Sequence, residues 1–190
     1  GNLFIAMEFV EGRTLRKLIQ DDGPLNVTRA VALGTQISEG LEAAHRAKII
    51  HRDIKPENIM VTREGSRETV KLLDFGIARL RDGANVTSVT KTGTLIGTPE
   101  YMAPELFKEE GVVNEKVDIY SFGIVLYEML SGKAPFKAST PAAVITKKLT
   151  EKPVPLGQLR RDVPAAVEQV VMQAITSEPE KRQRDMTEVV

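Results

Sequence analysis

Apolar positions along the chain change their spacing several times, and each change marks an element. Leu3 to Val10 is apolar and β-compatible apart from Glu8, and Gly12 breaks the run, so an interior strand leading into a connector is predicted. Thr14 to Gln20 has a short helical pattern, closed by Asp21-Asp22-Gly23-Pro24. Beyond Thr28, a residue able to cap, Ala30, Gly34, Ile37, Leu41 and Ala44 recur at steps of four and three, which predicts a long helix with one buried face. Ile59-Met60-Val61 and Val70 to Leu73 read as strand partners about a polar turn at Gly65. Arg79 to Thr94 is polar and without hydrophobic period, the pattern of a mobile loop.

The densest apolar stretch follows Asp118, which is placed to cap a helix. Ile119, Phe122, Gly123, Ile124, Val125, Leu126, Met129 and Leu130 cover most faces of that helix. A helix apolar nearly all round, and too short to span a bilayer, is a buried core helix about which the rest is assembled. Thr140-Pro141 and Asp162 to Pro164 predict two more helix starts, each with proline in the first turn. Asp185 and Glu188 stand at capping-box spacing. The expected class is mainly α with small β elements.

Composition narrows the function classes. A chain of 190 residues with 42% apolar content supports one domain with an ample core. Its 26 basic and 26 acidic residues cancel, so nothing argues for a nucleic-acid partner or for membrane contact from this segment. Absence of cysteine excludes disulfides and thiolate metal sites, and fits a cytoplasmic setting. Two histidines without metal spacing give zinc chemistry no support. Because the chain opens at Gly1 inside a strand-like run, it reads as a piece of a longer protein.

The chemistry concentrates in His51-Arg52-Asp53-Ile54-Lys55-Pro56-Glu57-Asn58, where Pro56 limits how much of the segment can be helical. Phosphoryl transfer needs a carboxylate to orient a hydroxyl nucleophile, a cation for the moving group and oxygen ligands for Mg²⁺. Asp53, Lys55 and Asn58 supply one each. Asp74-Phe75-Gly76 follows a strand-like run and adds a second oxygen ligand from another segment, and Gly97-Thr98-Pro99-Glu100-Tyr101-Met102-Ala103-Pro104-Glu105 completes the order.

These three motifs, in this order and at these separations, resemble the eukaryotic-type serine/threonine protein kinases, with wording most similar to the bacterial members. The resemblance implies a kinase C-terminal lobe around the buried helix, with the small lobe largely absent. Residues 1–13 would be the last small-lobe strand and hinge, and 14–190 the large lobe, holding a catalytic loop at 51–58 and an activation segment at 74–105. The implied activity is transfer of the γ-phosphate of ATP, with Mg²⁺ or Mn²⁺, to Ser/Thr hydroxyls of protein substrates. Asp53, Lys55, Asn58 and Thr98 would be catalytic, Thr98 hydrogen-bonding toward Asp53 and Lys55. Asn58 and Asp74 would hold the metal. The backbone of Glu8 and Val10 would meet the adenine, with Met7 guarding the deep pocket and Met60 forming the floor, and Lys55, Glu57 and Asp74 complete the cofactor side. From its charge, Glu57 would also favour basic residues near the target hydroxyl. Structural roles fall to His51, to a Glu105–Arg182 ion pair and to Asp118 binding catalytic-loop amides; His45 has no partner in view.

Arg52 beside Asp53 needs an anion, and Thr87, Ser88, Thr90, Thr92 and Thr94 lie in the polar loop, where a phosphate would meet Arg52 and Arg79. The resemblance singles out Thr94, and the Thr90/Thr92 pair of bacterial kinases, as activating phosphosites, with a homodimer for loop autophosphorylation. No G-x-G-x-x-G occurs, and neither the phosphate-binding strand lysine nor its helix glutamate is found. All three belong upstream of Gly1, so the chain alone is expected to be inactive, and a membrane anchor is compatible with the rest of the protein. A pseudokinase or a scaffold binding module is the alternative.

Overall fold

The computed structural model describes residues 8–75, 98–108 and 113–189. Met7, Arg79, Thr87, Ser88, Thr90, Thr92 and Thr94 lie outside them. Strand β1 (Arg13–Thr14) leads into helix α1 (Leu15–Asp22), then α2 (Val27–Arg46), a 3₁₀ turn (Pro56–Asn58), β2 (Ile59–Glu64) and β3 (Arg67–Leu72). A second 3₁₀ turn (Pro104–Phe107) precedes α3 (Lys116–Ser131), α4 (Pro141–Thr150), α5 (Leu156–Leu159) and α6 (Ala165–Ala174), and turns at Pro179–Lys181 and Met186–Val189 close the described chain. The architecture is mainly helical, with one small antiparallel sheet of order β1-β2-β3. Arg13 pairs with Val61, and Ile59 with Leu72.

Helix α3 is the axis of the core: every residue from Val117 to Leu130 is buried. Its neighbours must therefore approach closely, and Gly123 allows it. A Cβ there would stand 2.7 Å from Ala174 Cβ on α6, inside any real carbon–carbon contact. Gly34 makes the same concession on α2, where a Cβ would meet the Leu126 side chain of α3 at 2.8 Å. Ala30, Gly34, Ile37 and Leu41 form the buried face of α2, while Ala44 is half-buried.

Several predicted caps move. Asn26, not Thr28, caps α2: its extended backbone turns Oδ1 onto the Arg29 N–H at 2.8 Å, leaving Thr28 exposed inside the first turn. Asp118 does not cap α3. Asn114 Oδ1 takes the Lys116 N–H at 3.0 Å, which frees the Asp118 carboxylate for the loop beneath it. Thr140 caps α4 through the Ala143 N–H, with Pro141 as the first helical residue. Pro164 stands at the cap of α6, one position ahead of the first turn, and Asp162 bonds Arg160 instead. The last segment closes as a 3₁₀ turn, in which Glu188 reaches the Arg184 N–H at 2.7 Å and not the amide of Asp185.

Candidate active site

Helix α2 and helix α3 together present the loop at 51–58. Asp118, fully buried in the first turn of α3, accepts three hydrogen bonds: from the His51 N–H and the Arg52 N–H at 2.8 Å each, and from His45 Nε2 at 2.9 Å. His45 thus has a partner, 73 positions away in sequence. Two amides converging on one carboxylate explain how Arg52 tolerates φ 65, a left-handed conformation that costs a non-glycine residue about 1–3 kcal/mol. The turn reverses the chain and sets Asp53 at the rim.

At that rim Asp53 Oδ2 accepts from Lys55 Nζ at 2.8 Å and from Asn58 Nδ2 at 2.9 Å. Asn58 Nδ2 also donates to the Asp53 carbonyl at 2.8 Å, which uses both amide hydrogens. Neither Asn58 Oδ1 nor Asp53 Oδ1 takes a hydrogen bond from any described residue. Pro56 starts the 3₁₀ turn that folds Asn58 back on Asp53, since its ring fixes φ and removes a donor.

The strand that carries Asp74 is tied to this loop at two points. The Leu73 N–H donates to the Asn58 carbonyl at 2.8 Å, and His51 Nε2 donates to the Leu73 carbonyl at 2.9 Å. The Phe75 ring lies 4.5 Å from the His51 ring. Burial pushes the His51 imidazole below its usual value, so its neutral tautomer serves as this clamp. Asp74 is exposed at φ 53, the second strained turn of the site.

A carboxamide oxygen and a carboxylate, borne by two segments hydrogen-bonded to each other, suit a small hard cation that takes its remaining ligands from phosphates and water. No cluster of three His, Cys, Asp or Glu side chains that could hold a metal ion occurs among the described residues.

Other predicted residues fall as follows. The Thr98 hydroxyl bonds neither Asp53 nor Lys55; those two bond each other, and Thr98 contributes its carbonyl to the Tyr101 N–H at 3.1 Å. The Glu57 carboxylate meets Arg16 Nε on α1 at 2.7 Å through one of its oxygens. Met60 is buried in the middle strand, Val10 is half-buried, and the Glu8 carboxylate meets Lys71 Nζ at 2.6 Å on the surface. Glu105 and Arg182 pair through two bonds of 2.7 and 2.8 Å. Arg52 Nε is buried without a hydrogen-bond partner among the described residues.

One cluster has no counterpart in the sequence reading. Arg16 bonds Glu57, the Tyr101 hydroxyl and Glu128 Oε1, the last at 2.8 Å, while the Tyr101 hydroxyl donates to Glu128 Oε2 at 2.6 Å. Glu128 is a buried carboxylate among the apolar side chains in the second half of α3, and such a residue demands a buried cation. That demand was the available signal.

Residues 1–189 match the protein kinase domain family, and the chain belongs to it. It is 40% identical over 192 residues to a probable serine/threonine-protein kinase of Clostridium acetobutylicum, covering 100% of this chain and 28% of that protein. It is 40% identical over 187 residues to the serine/threonine-protein kinase PknB of Mycolicibacterium smegmatis, covering 98% and 29%. To the serine/threonine-protein kinase pkn3 of Myxococcus xanthus it is 39% identical, covering 96% and 34%. The chain therefore spans about a third or less of the length of these relatives. No helix among the described residues is long and apolar enough to cross a membrane.

Proposed function

We propose that the complete protein carrying this chain is a serine/threonine protein kinase that phosphorylates Ser/Thr hydroxyls of protein substrates. The observation that carries this reading is the Asp53 carboxylate: one oxygen is fixed by Lys55 and Asn58 while the other takes no hydrogen bond from any described residue. Asp53 orients the acceptor hydroxyl through that second oxygen and takes its proton as the hydroxyl is phosphorylated. Lys55 offsets the charge that grows beside it. ATP supplies the phosphoryl group when bound, and Mg²⁺ or Mn²⁺ neutralises it. Asn58 Oδ1 and Asp74 would hold the cation, and the backbone of Glu8 and Val10 with the Met60 side chain would take the adenine.

In this reading residues 1–13 are the last small-lobe strand and hinge, residues 14–190 are the large lobe, and the kinase segment works in the cytoplasm. Arg52 supports a regulatory half of the proposal: a buried guanidinium nitrogen without a hydrogen-bond partner among the described residues, next to the catalytic carboxylate, suits a phosphate on Thr90, Thr92 or Thr94, with Arg79 as a second cation. Loop autophosphorylation between two copies would deliver it.

The test is Asp53→Asn in the full-length protein, with transfer of labelled phosphate to a Ser/Thr peptide as the readout. A loss of roughly 10²–10⁴-fold in rate, with melting temperature unchanged, is expected for removal of a positioned base. Undiminished transfer would sink the reading. Alanine at Thr90, Thr92 and Thr94 together is expected to lower the rate, and an unchanged rate removes the regulatory half.

A further inference from the structure

The hairpin between β2 and β3 turns through two residues, Gly65 and Ser66, with Glu64 paired to Arg67 at its base. Gly65 takes φ 61, the left-handed value that the first position of such a turn requires and that glycine adopts readily. The turn leaves Ser66 exposed at the tip. Arg63 folds back over it: its Nε donates at 3.0 Å to the Gly65 carbonyl, which belongs to the peptide bond that Ser66 completes. The guanidinium is therefore held at the turn. No carboxylate among the described residues pairs with it, because its cross-strand partner Glu68 is taken by Arg29 of α2 through two bonds of 2.8 and 3.0 Å.

Beside the turn lies a cavity of about 390 Å³ whose polar lining is Arg13, Asp22, Arg29, Arg63, Ser66 and Glu68. Ser66, Arg29 and Glu68 also border the adjoining cavity. Asp22 is shared between Arg29 at 3.2 Å and Arg13 at 3.5 Å, and Arg13 also turns to Asp21 at 2.8 Å, where Lys17 already draws at 3.3 Å. Four cations thus stand against three carboxylates, and the uncompensated one is Arg63. An excess of guanidinium with a hydroxyl on its rim suits a dianion with three acceptor oxygens, since arginine forks match phosphate and each bond is charge-assisted. At about 30 Å³ per water, the volume holds a phosphoryl group and its hydration.

We propose that Ser66 is a phosphorylation site and that its phosphate is received in this cavity, bonded by Arg63 within the turn and by Arg29 and Arg13 across it, so that the hairpin is tied to β1, α1 and α2. This rests on the kinase reading above, which supplies the donor. The γ-phosphoryl group of ATP loses its bond to the β,γ-bridging oxygen and gains one to Ser66 Oγ; ADP leaves with the electron pair, and the hydroxyl proton passes to the catalytic carboxylate. The reaction runs between two copies of the protein: the six residues of β2, at about 3.3 Å each, hold Ser66 roughly 20 Å from the Asn58 turn of its own catalytic loop.

The experiment incubates isotope-labelled, full-length Asp53→Asn protein with full-length wild type, ATP and Mg²⁺, and weighs the labelled peptide that contains Ser66. Phosphate is expected on that peptide, and none when the variant is incubated alone. A wild type that phosphorylates other hydroxyls and leaves Ser66 bare overturns the site. The receiving cavity is read separately, on full-length Asp53→Asn protein synthesised with phosphoserine at position 66. Its phosphorus resonance is expected to titrate near about pH 5 instead of the usual value of about 6, and Arg63→Gln is expected to bring it back towards about 6. Hydrogen exchange at the amides of Glu64 and Arg67 is expected to be about tenfold slower with the phosphate than without it. A titration at about pH 6 that Arg63→Gln does not move overturns the proposal. A wild type that transfers phosphate to no hydroxyl sinks the kinase reading instead, and the titration and exchange then judge the Ser66 cavity alone, unshifted values overturning it.

Discussion

Arg182 and Glu105, 77 positions apart, face each other fork to fork with both nitrogens of the guanidinium on both oxygens of the carboxylate, and neither side chain is more than 6% exposed. The pair staples the end of the Pro104–Phe107 turn to the segment beyond α6. Arg182 is further fixed by the carbonyls of Lys116 and Thr176 at 2.9 Å each. Glu105→Gln leaves a buried guanidinium without its counter-charge, and a destabilisation of about 3–5 kcal/mol is expected. Adding Arg182→Met should cost much less than the sum of the two single changes. Chemical denaturation of the four proteins of the cycle measures it; additive effects would refute the coupling.

Asp118 organises the loop rather than its own helix. With three donors converging on it, Asp118→Asn turns an NH₂ group onto at least one N–H, and a loss of about 3 kcal/mol in stability is expected. The left-handed turn at Arg52 should relax as well. The phosphoryl-transfer rate of the full-length protein, taken at a temperature where the variant is still folded, is therefore expected to fall by more than the unfolded fraction explains. Equal losses in rate and in folded fraction would assign Asp118 to stability alone.

Local patterns were legible and long-range pairings were not. The 51–58 loop and the Asp74 turn could be read because their chemistry sits within a few residues of chain, and the buried α3 because its apolar positions fill every face. Caps were misplaced by two to four residues where two good capping side chains compete, as Asn26 and Thr28 do, or where a nearby amide such as Asn114 takes the role. The partners of His45 and of Arg16 could not be read at all. Asp118 and Glu128 reach them across 73 and 112 positions, a distance that only the packed helices define. The expected Thr98 bond is not made among the described residues, where Lys55 bonds Asp53 directly.

The Arg16 cluster separates a buried charge from an exposed one within a single hub. The Glu128 side chain is 2% exposed and that of Glu57 45%. Removing the guanidinium by Arg16→Ala strands the first, at an expected cost of about 3 kcal/mol. Removing the second carboxylate by Glu57→Gln is expected to cost less than about 1 kcal/mol, as for other solvent-screened pairs. Urea midpoints of the two variants should therefore differ clearly, and similar midpoints would show that Tyr101 alone suffices to satisfy Glu128.

The three tyrosines of the chain offer a reading of the core by pH. Burial raises Tyr101, Tyr120 and Tyr127 above the usual phenol value, and the neighbouring Glu128 raises Tyr101 further. In the unfolded chain each would lose its proton near pH 10. The unfolded state then binds fewer protons than the folded one, so the stability these groups lend is fully present below pH 10 and declines as pH rises beyond it. Phenolate absorbance from these residues, isolated by difference against Tyr101→Phe, Tyr120→Phe and Tyr127→Phe proteins, is expected to appear together with loss of helical circular dichroism. A simple sigmoidal titration near pH 10 that leaves the helices intact would mean that the phenols are open to solvent and that the packing about α3 is looser than described.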